Sequence, residues 1–277
     1  MSEPSPEQRK HNTIEIFNLV AGGYDNPSQR FFPFCADRLV SFLKPLPGQK
    51  FLDVGSGTGA VSTAAAQQLG GAGRVTAIDL ADNMLNRAEQ NVRKMALNNV
   101  DFHIMDGEAL EFRDRYFDVV ASSFCVFFFT DMAAGLQQWL RVLKPGGYAG
   151  FTSFAATAFT PLMEMFLEDL AEYGIEITLD SIQKLAREGD CVELMQAAGF
   201  VDIESRTEQM GYHLAGSTDW WEIVMNSGLR GFVEQLSKEQ QAALRDSHSR
   251  RIDQRVTDKG LWLDVGTIFT RGQRPKK

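Results

Sequence analysis

Short apolar runs alternate with amphipathic stretches along this chain, and that alternation predicts strands joined by helices. Phe51-Leu52-Asp53-Val54 reads as a strand. A glycine turn, Gly55-Ser56-Gly57-Thr58-Gly59, follows it, then a small-residue helix opening at Ala60. Val75–Asp79 predicts a second strand, Val100–Met105 a third ending in the acidic turn Asp106-Gly107-Glu108, and Phe117–Ser123 a fourth. Leu143-Lys144-Pro145-Gly146-Gly147-Tyr148 is a helix stop and tight turn into a fifth. Between them, Asp82 is placed to cap a helix through Met84, Leu85, Ala88, Val92 and Met95, and Asp131 to cap one through Leu136, Leu140 and Leu143. Strands and helices in this order imply a mainly parallel sheet covered on both faces.

Beyond Phe154 the pattern becomes helical. Pro161 opens a helix with Leu162, Met165, Phe166 and Leu170, and Val192–Ala198 predicts another that ends at Gly199. Phe200–Ile203 reads as a sixth strand, Ser237 with Gln240 as a capping box for a long helix, and Leu261–Phe269 as the final strand. The divisions expected are a disordered tail (1–10), a helical lid segment (11–44) broken near Gly22-Gly23 and Pro27, and a cofactor-binding core (45–155). Core completion with a helical insertion (156–215), a helical lid insertion (216–258) and the final strand with its tail (259–277) follow. The pieces 11–44, 155–190 and 216–258 are expected to cover the carboxyl edge of the sheet.

The glycine turn carries the chemistry. Glycines admit a ligand close to the backbone, and the helix beyond presents unpaired N–H groups. The spacing alone also suits a dinucleotide. Asp53, two residues before the first glycine, would repel a pyrophosphate and attract a ligand bearing an ammonium group. S-adenosylmethionine (SAM) has adenine, ribose and an α-ammonium, and no phosphate. Asp79, at the end of the second strand, can accept both ribose hydroxyls, a feature common to NAD and SAM binders.

Taken in order, these five strand-end motifs resemble the class I SAM-dependent methyltransferase superfamily over about residues 45–155. The leading segment Ile16–Asp25 is similar to that of small-molecule methyltransferases, with the ubiquinone/menaquinone C-methyltransferases the nearest group. The resemblance implies an α/β, Rossmann-like, doubly wound, mostly parallel seven-stranded sheet, its last strand antiparallel beside the sixth, with a helical lid. It implies that Asp53, Gly55 and Gly57 meet the methionine end of SAM and that Asp79 holds the ribose. Leu80 and Met84 would flank the adenine, Asp106 and Gly107 would meet its edge, and Ser122 would lie beneath the methionine. Tyr24 would fold over the methyl donor, and the product would be S-adenosylhomocysteine (SAH).

Composition narrows the acceptor. The 277-residue chain carries a net charge of −8 and shows no basic face, which disfavours nucleic acid. No apolar run reaches the ~20 residues of a membrane span. Three cysteines without metal-ligand spacing and a polar N-terminus suggest a cytoplasmic protein with free thiols and no metal site. Twenty Phe against 5 Tyr favour a small apolar acceptor, aromatic, quinol-like or prenylated. Phe127, Phe128 and Phe129 follow the fourth strand, and Phe31, Phe32, Phe34, Phe154, Phe159, Trp220 and Trp221 fall in lid segments. Methyl transfer needs alignment and exclusion of water more than a base. His213, beside Tyr212, is the candidate base, while His103, His248 and Cys125 read as structural.

These features predict an enzyme that moves a methyl group from SAM to a carbon or oxygen. The alternatives are an N- or O-methyltransferase of secondary metabolism, a SAM-binding protein that leaves the methyl in place (a cyclase, for example), and a dehydrogenase, which would bind NAD. The oligomeric state is not encoded in any of these patterns.

Overall fold

The computed structural model describes residues 5–175, 177 and 183–277. Its sheet grows outward from β1 (Lys50–Val54), which pairs in parallel with β2 (Arg74–Asp79) on one side and β4 (Phe117–Ser123) on the other. β3 (Val100–Ile104) continues one edge, and β5 (Leu143–Phe154) extends the other, all parallel. β6 (Val201–Gln209) forms the far edge, and β9 (Gly266–Gln273) is inserted antiparallel between β5 and β6. The order is therefore β3-β2-β1-β4-β5-β9-β6, the seven-stranded, mostly parallel architecture expected. Leu52, Val120 and Phe151 on neighbouring strands are fully buried, as strands covered on both faces require.

Two helical layers cover the sheet. α2 (Phe31–Leu43), α3 (Ala60–Leu69) and α4 (Asp82–Lys94) contact one another in series. α5 (Met132–Val142) packs on α7 (Glu188–Ala197), which covers β6 and β9. Asp131 caps α5 by accepting from the Ala134 N–H at 3.0 Å. Asp82 does not cap α4. It is the first helical residue, and Ala81 holds the cap position because Asp79 accepts the Ala81 N–H.

The remaining helices are α1 (Pro6–Val20), α6 (Leu162–Ala171), α8 (Ser217–Met225), the single turn α9 (Arg230–Val233) and α10 (Lys238–Asp253). The first four line the cavities at the carboxyl edge, and the last packs on the second and third of them. The capping box of Ser237 and Gln240 is present.

Four further sequence expectations change. The segment 1–10 is helical from Pro6, with Ser5 as its cap accepting from Gln8 N–H; residues 1–4 lie outside the described residues. The stretch 11–44 divides, because α2 buries Cys35, Ala36, Leu39 and Val40 against the sheet and α3 and so belongs to the core layer. The run 261–269 breaks at Asp264, whose Oδ1 accepts the Gly266 N–H at 2.9 Å. Leu261–Leu263 becomes β8 and pairs with β7 (Tyr212–Leu214) in a separate two-stranded sheet, leaving the final strand to begin at Gly266. β6 runs on to Gln209, beyond Ile203, as a polar edge strand. Of the stretch 155–190, residues 176 and 178–182 lie outside the described residues.

Candidate active site

The carboxyl ends of β1, β2 and β4 open into a cavity of about 120 Å³. The turn after β1 is held by three left-handed glycines, Gly55 (φ 65°), Gly57 (φ 53°) and Gly59 (φ 85°), the last of which starts α3. Gly57 lines the cavity, and a Cβ there would meet no protein atom within 4 Å. The bare backbone there leaves room for a ligand.

Asp79 closes the turn from β2. Its Oδ2 accepts the Gly57 N–H at 2.8 Å and its Oδ1 the Ala81 N–H at 2.9 Å. Burial pushes its pKa up, and the backbone N–H bonds oppose the shift. Leu80 and Met84 form an apolar wall beside it. Across the cavity lie Met105, Asp106, Gly107 and Glu108, where Asp106 Oδ1 accepts the Glu108 N–H. A Cβ on Gly107 would stand 2.5 Å from Val54 Cγ1, so only glycine fits that wall.

α1 roofs this end. Lys10, Thr13, Ile14 and Phe17 line the cavity, and Lys10 Nζ pairs with Asp106 Oδ2 at 2.7 Å and Glu108 Oε2 at 2.8 Å. Sequence reading placed a helical lid from residue 11 but missed its start and Lys10, and singled out none of these lining residues, although positions 10, 13, 14 and 17 keep helical spacing and Ser5-Pro6 is a helix start. The polar N-terminal composition concealed it.

Asp53 and Ser122 line neither this cavity nor its neighbour, and both are fully buried beneath the floor. Asp53 Oδ2 accepts the Ser62 hydroxyl at 2.6 Å, and its Oδ1 has no hydrogen-bond partner. Burial pushes its pKa up to about 7 against the opposing Ser62 bonds.

A second cavity of about 350 Å³ adjoins the first. Phe17, Tyr24, Phe124 and Phe128 line both and form the partition between them. Tyr24 stacks on Phe32 with ring centroids 4.8 Å apart, and Phe17 meets Phe128 edge to face at 5.4 Å. Burial pushes the Tyr24 hydroxyl pKa up. Of the aromatics singled out in the sequence, Phe31, Phe32, Phe127, Phe154, Phe159 and Trp220 line this second chamber, whereas Phe129 lines the first. Phe34 is half exposed against Tyr212, and Trp221 lines neither cavity. Ile223 and Phe232 add walls that sequence reading did not single out.

His213 is placed away from both. It sits on β7, exposed, its ring edge to face with Trp262 and its carbonyl accepting from Arg30. Strand alternation turns its side chain outward while Leu214 packs inward. Cys125 lines the first cavity with its thiol pKa pushed up by burial, which leaves it protonated and unreactive.

A doubly wound sheet with a glycine turn, a strand-end acid at Asp79 and a cavity at its carboxyl edge defines an α/β enzyme built around an adenosine-bearing cofactor. Lys10, its charge already balanced by two carboxylates, is the only cation lining that cavity among the described residues, and the acidic lining suits SAM better than a pyrophosphate.

Residues 51–147 match the family model described as a methyltransferase domain. Aklanonic acid methyltransferase DauC of Streptomyces sp. (strain C5) is 30% identical over 214 residues, which cover 73% of this chain and 97% of that protein. Nocamycin O-methyltransferase of Saccharothrix syringae is 29% identical over 242 residues, 83% of this chain and 86% of that one. The ubiquinone/menaquinone biosynthesis C-methyltransferase UbiE of Vibrio vulnificus (strain YJ016) is 33% identical over 154 residues, 55% of this chain and 56% of its own. The chain belongs to the class I SAM-dependent methyltransferases; it is a methyltransferase and its cofactor is SAM.

Proposed function

We propose that this enzyme methylates a carbon or oxygen of a small apolar acceptor, aromatic, quinol-like or prenylated, bound in the second chamber. The observation that carries this reading is the shared aromatic partition, which sets a chamber walled by Phe31, Phe154, Phe159 and Trp220 directly against the cofactor cavity. The relatives named for aklanonic acid, nocamycin and quinone methylation support an organic small-molecule acceptor and both acceptor atoms.

In this reading Asp79 holds the ribose, Leu80 and Met84 sandwich the adenine, and Asp106 with Gly107 meets its edge. Gly55 and Gly57 give backbone room to the methionine end, while Asp53 and Ser122 act from beneath the turn. SAM supplies an electrophilic methyl on a sulfonium that is its own leaving group. The chain supplies alignment and dryness: Tyr24, Phe17, Phe124 and Phe128 close the partition and keep water from the methyl's path. Tyr24 is a shaping residue rather than a base, since burial keeps its hydroxyl protonated. Among the described residues the chamber wall holds no carboxylate and no imidazole. The acceptor therefore brings its own nucleophile, as an enolate, phenolate or carboxylate. A net charge of −8 argues against nucleic acid as acceptor, and free thiols fit a cytoplasmic setting. Among the described residues no helix is long and apolar enough to cross a membrane.

Incubation with methyl-labelled SAM and a panel of phenols, quinols, aromatic carboxylic acids and aromatic amines tests the reading. Label in a discrete organic-soluble product is expected. Label confined to amines, or SAM binding without transfer to any member of the panel, would overturn it.

A further inference from the structure

Behind the chamber wall, three lid helices meet in a buried polar relay. Trp220 of α8 is fully buried and its ring forms part of the chamber wall. Its indole Nε1–H donates to His248 Nε2 of α10 at 2.8 Å. The indole can only donate, so Nε2 must carry the lone pair, and the imidazole proton sits on Nδ1. Nδ1 lies 2.5 Å from Asp169 Oδ2 of α6, and the other oxygen of Asp169 takes the Arg251 guanidinium. His248 is 1% exposed and Asp169 3%.

Burying an imidazole and a carboxylate in an apolar lid costs desolvation that a Phe–Leu pair of similar volume would avoid. What the polar set adds is direction. One acceptor at a fixed point favours the single ring state that aims Nε1–H at it, a directional preference added to the shape selection that any close-packed pocket exerts. The tautomer follows in the same way, because Asp169 takes the Nδ1 proton and leaves Nε2 facing Trp220. The indole N–H is also satisfied away from the chamber, so Trp220 presents no donor to the acceptor.

We propose that His248, oriented by Asp169, is a positioning residue that locks the Trp220 indole into one orientation and thereby sets the shape of acceptor the chamber admits. The consequence for the acceptor rests on reading the second chamber as its site. The relay itself does not.

Indole-nitrogen NMR and the binding of a neutral aromatic probe, N-phenyl-1-naphthylamine, separate the two. The Trp220 indole resonance is identified by its loss in Trp220→Phe. In His248→Leu that resonance is expected to move upfield and broaden, and the probe to bind about tenfold more weakly. His248→Gln, whose amide oxygen can accept the same proton, is expected to restore both. SAH affinity measured by calorimetry is expected to stay within about twofold, since His248 lies outside the cofactor cavity. An unmoved indole resonance in a His248→Leu protein that still binds SAH would overturn the proposal, as would a moved resonance with unchanged probe affinity. If His248→Leu does not fold, Trp220→Phe decides: it keeps a ring and removes the donor, and unchanged probe affinity there overturns the proposal. Phe154→Trp fills the chamber without touching the relay. Probe binding indifferent to that change would instead refute the chamber as the acceptor site.

Discussion

Asp53 and Asp79 stand on neighbouring strands at one edge of the sheet, and both were legible as strand-end acids. Their surroundings were not. The two share a face of the sheet, since Asp53 pairs in register with Ala77, two residues before Asp79; Asp53 lies one step inside its strand and is covered by Ser62 of α3, while Asp79, at the end of its strand, reaches the cavity. A sequence shows that an acid stands near a strand end before it shows what covers it. The burial of Asp53 has a thermodynamic consequence. Its folded pKa is about 7, above the ordinary value near 4 of an unfolded chain. A raised folded pKa gives stability that is complete below the unfolded value and is lost as pH rises through the folded one. The nearest charge is Asp79, which pushes in the same direction, and Ser62 opposes it. Asp53→Asn, which keeps an acceptor for the Ser62 hydroxyl, should therefore gain on the native protein between about pH 4 and about pH 7 and hold that gain above. Thermal melts of the two proteins across this range, without cofactor, check it; a gap that shrinks with rising pH would contradict the assignment.

Among the elements, α1 separates what could be read from what could not. Its cap and its lining stripe were present as Ser5-Pro6 and as positions 10, 13, 14 and 17, but prolines and charge made residues 1–10 look unstructured, so the helix was read only from residue 11. β6 was cut short in the reading because an exposed edge strand alternates polar residues and offers no apolar run. The lost half of the final strand came from one Asx turn at Asp264. Contacts made by α1 lead to a kinetic expectation. Lys10 ties the helix to Asp106 and Glu108 across the mouth of the cavity, and all three side chains are partly exposed. Such pairs add little to global stability. Lys10→Ala should leave the melting temperature within about 1 °C while SAH dissociates several-fold faster in a stopped-flow chase. An unchanged dissociation rate would show that the ion pairs do not hold the roof.

Over the whole molecule, the order of βα units made the parallel part of the sheet legible, because each strand–helix pair is local in sequence. The chamber was not legible as an assembly. Its walls come from Phe31, Phe124, Phe154, Trp220 and Phe232, brought together only by the lid's packing on the sheet. Aromatic residues scattered over 200 positions look like ordinary core until the fold gathers them. Cofactor choice is a property at this scale too, since it depends on the whole cavity. SAM at a hundredfold excess over its Kd should raise the melting temperature by about 5–10 °C, and NAD should leave it unchanged. A shift with NAD alone would contradict the cofactor assignment.

β9 sits between two strands that the chain makes earlier. β6 has no other strand neighbour, so until residues 266–273 are made it has nothing to pair with, and β5 has one bare edge. Vectorial synthesis is therefore expected to leave the far side of this sheet unfinished until β9 is available. The newly made chain should be most exposed to edge-to-edge pairing before Gly266–Gln273 joins the sheet.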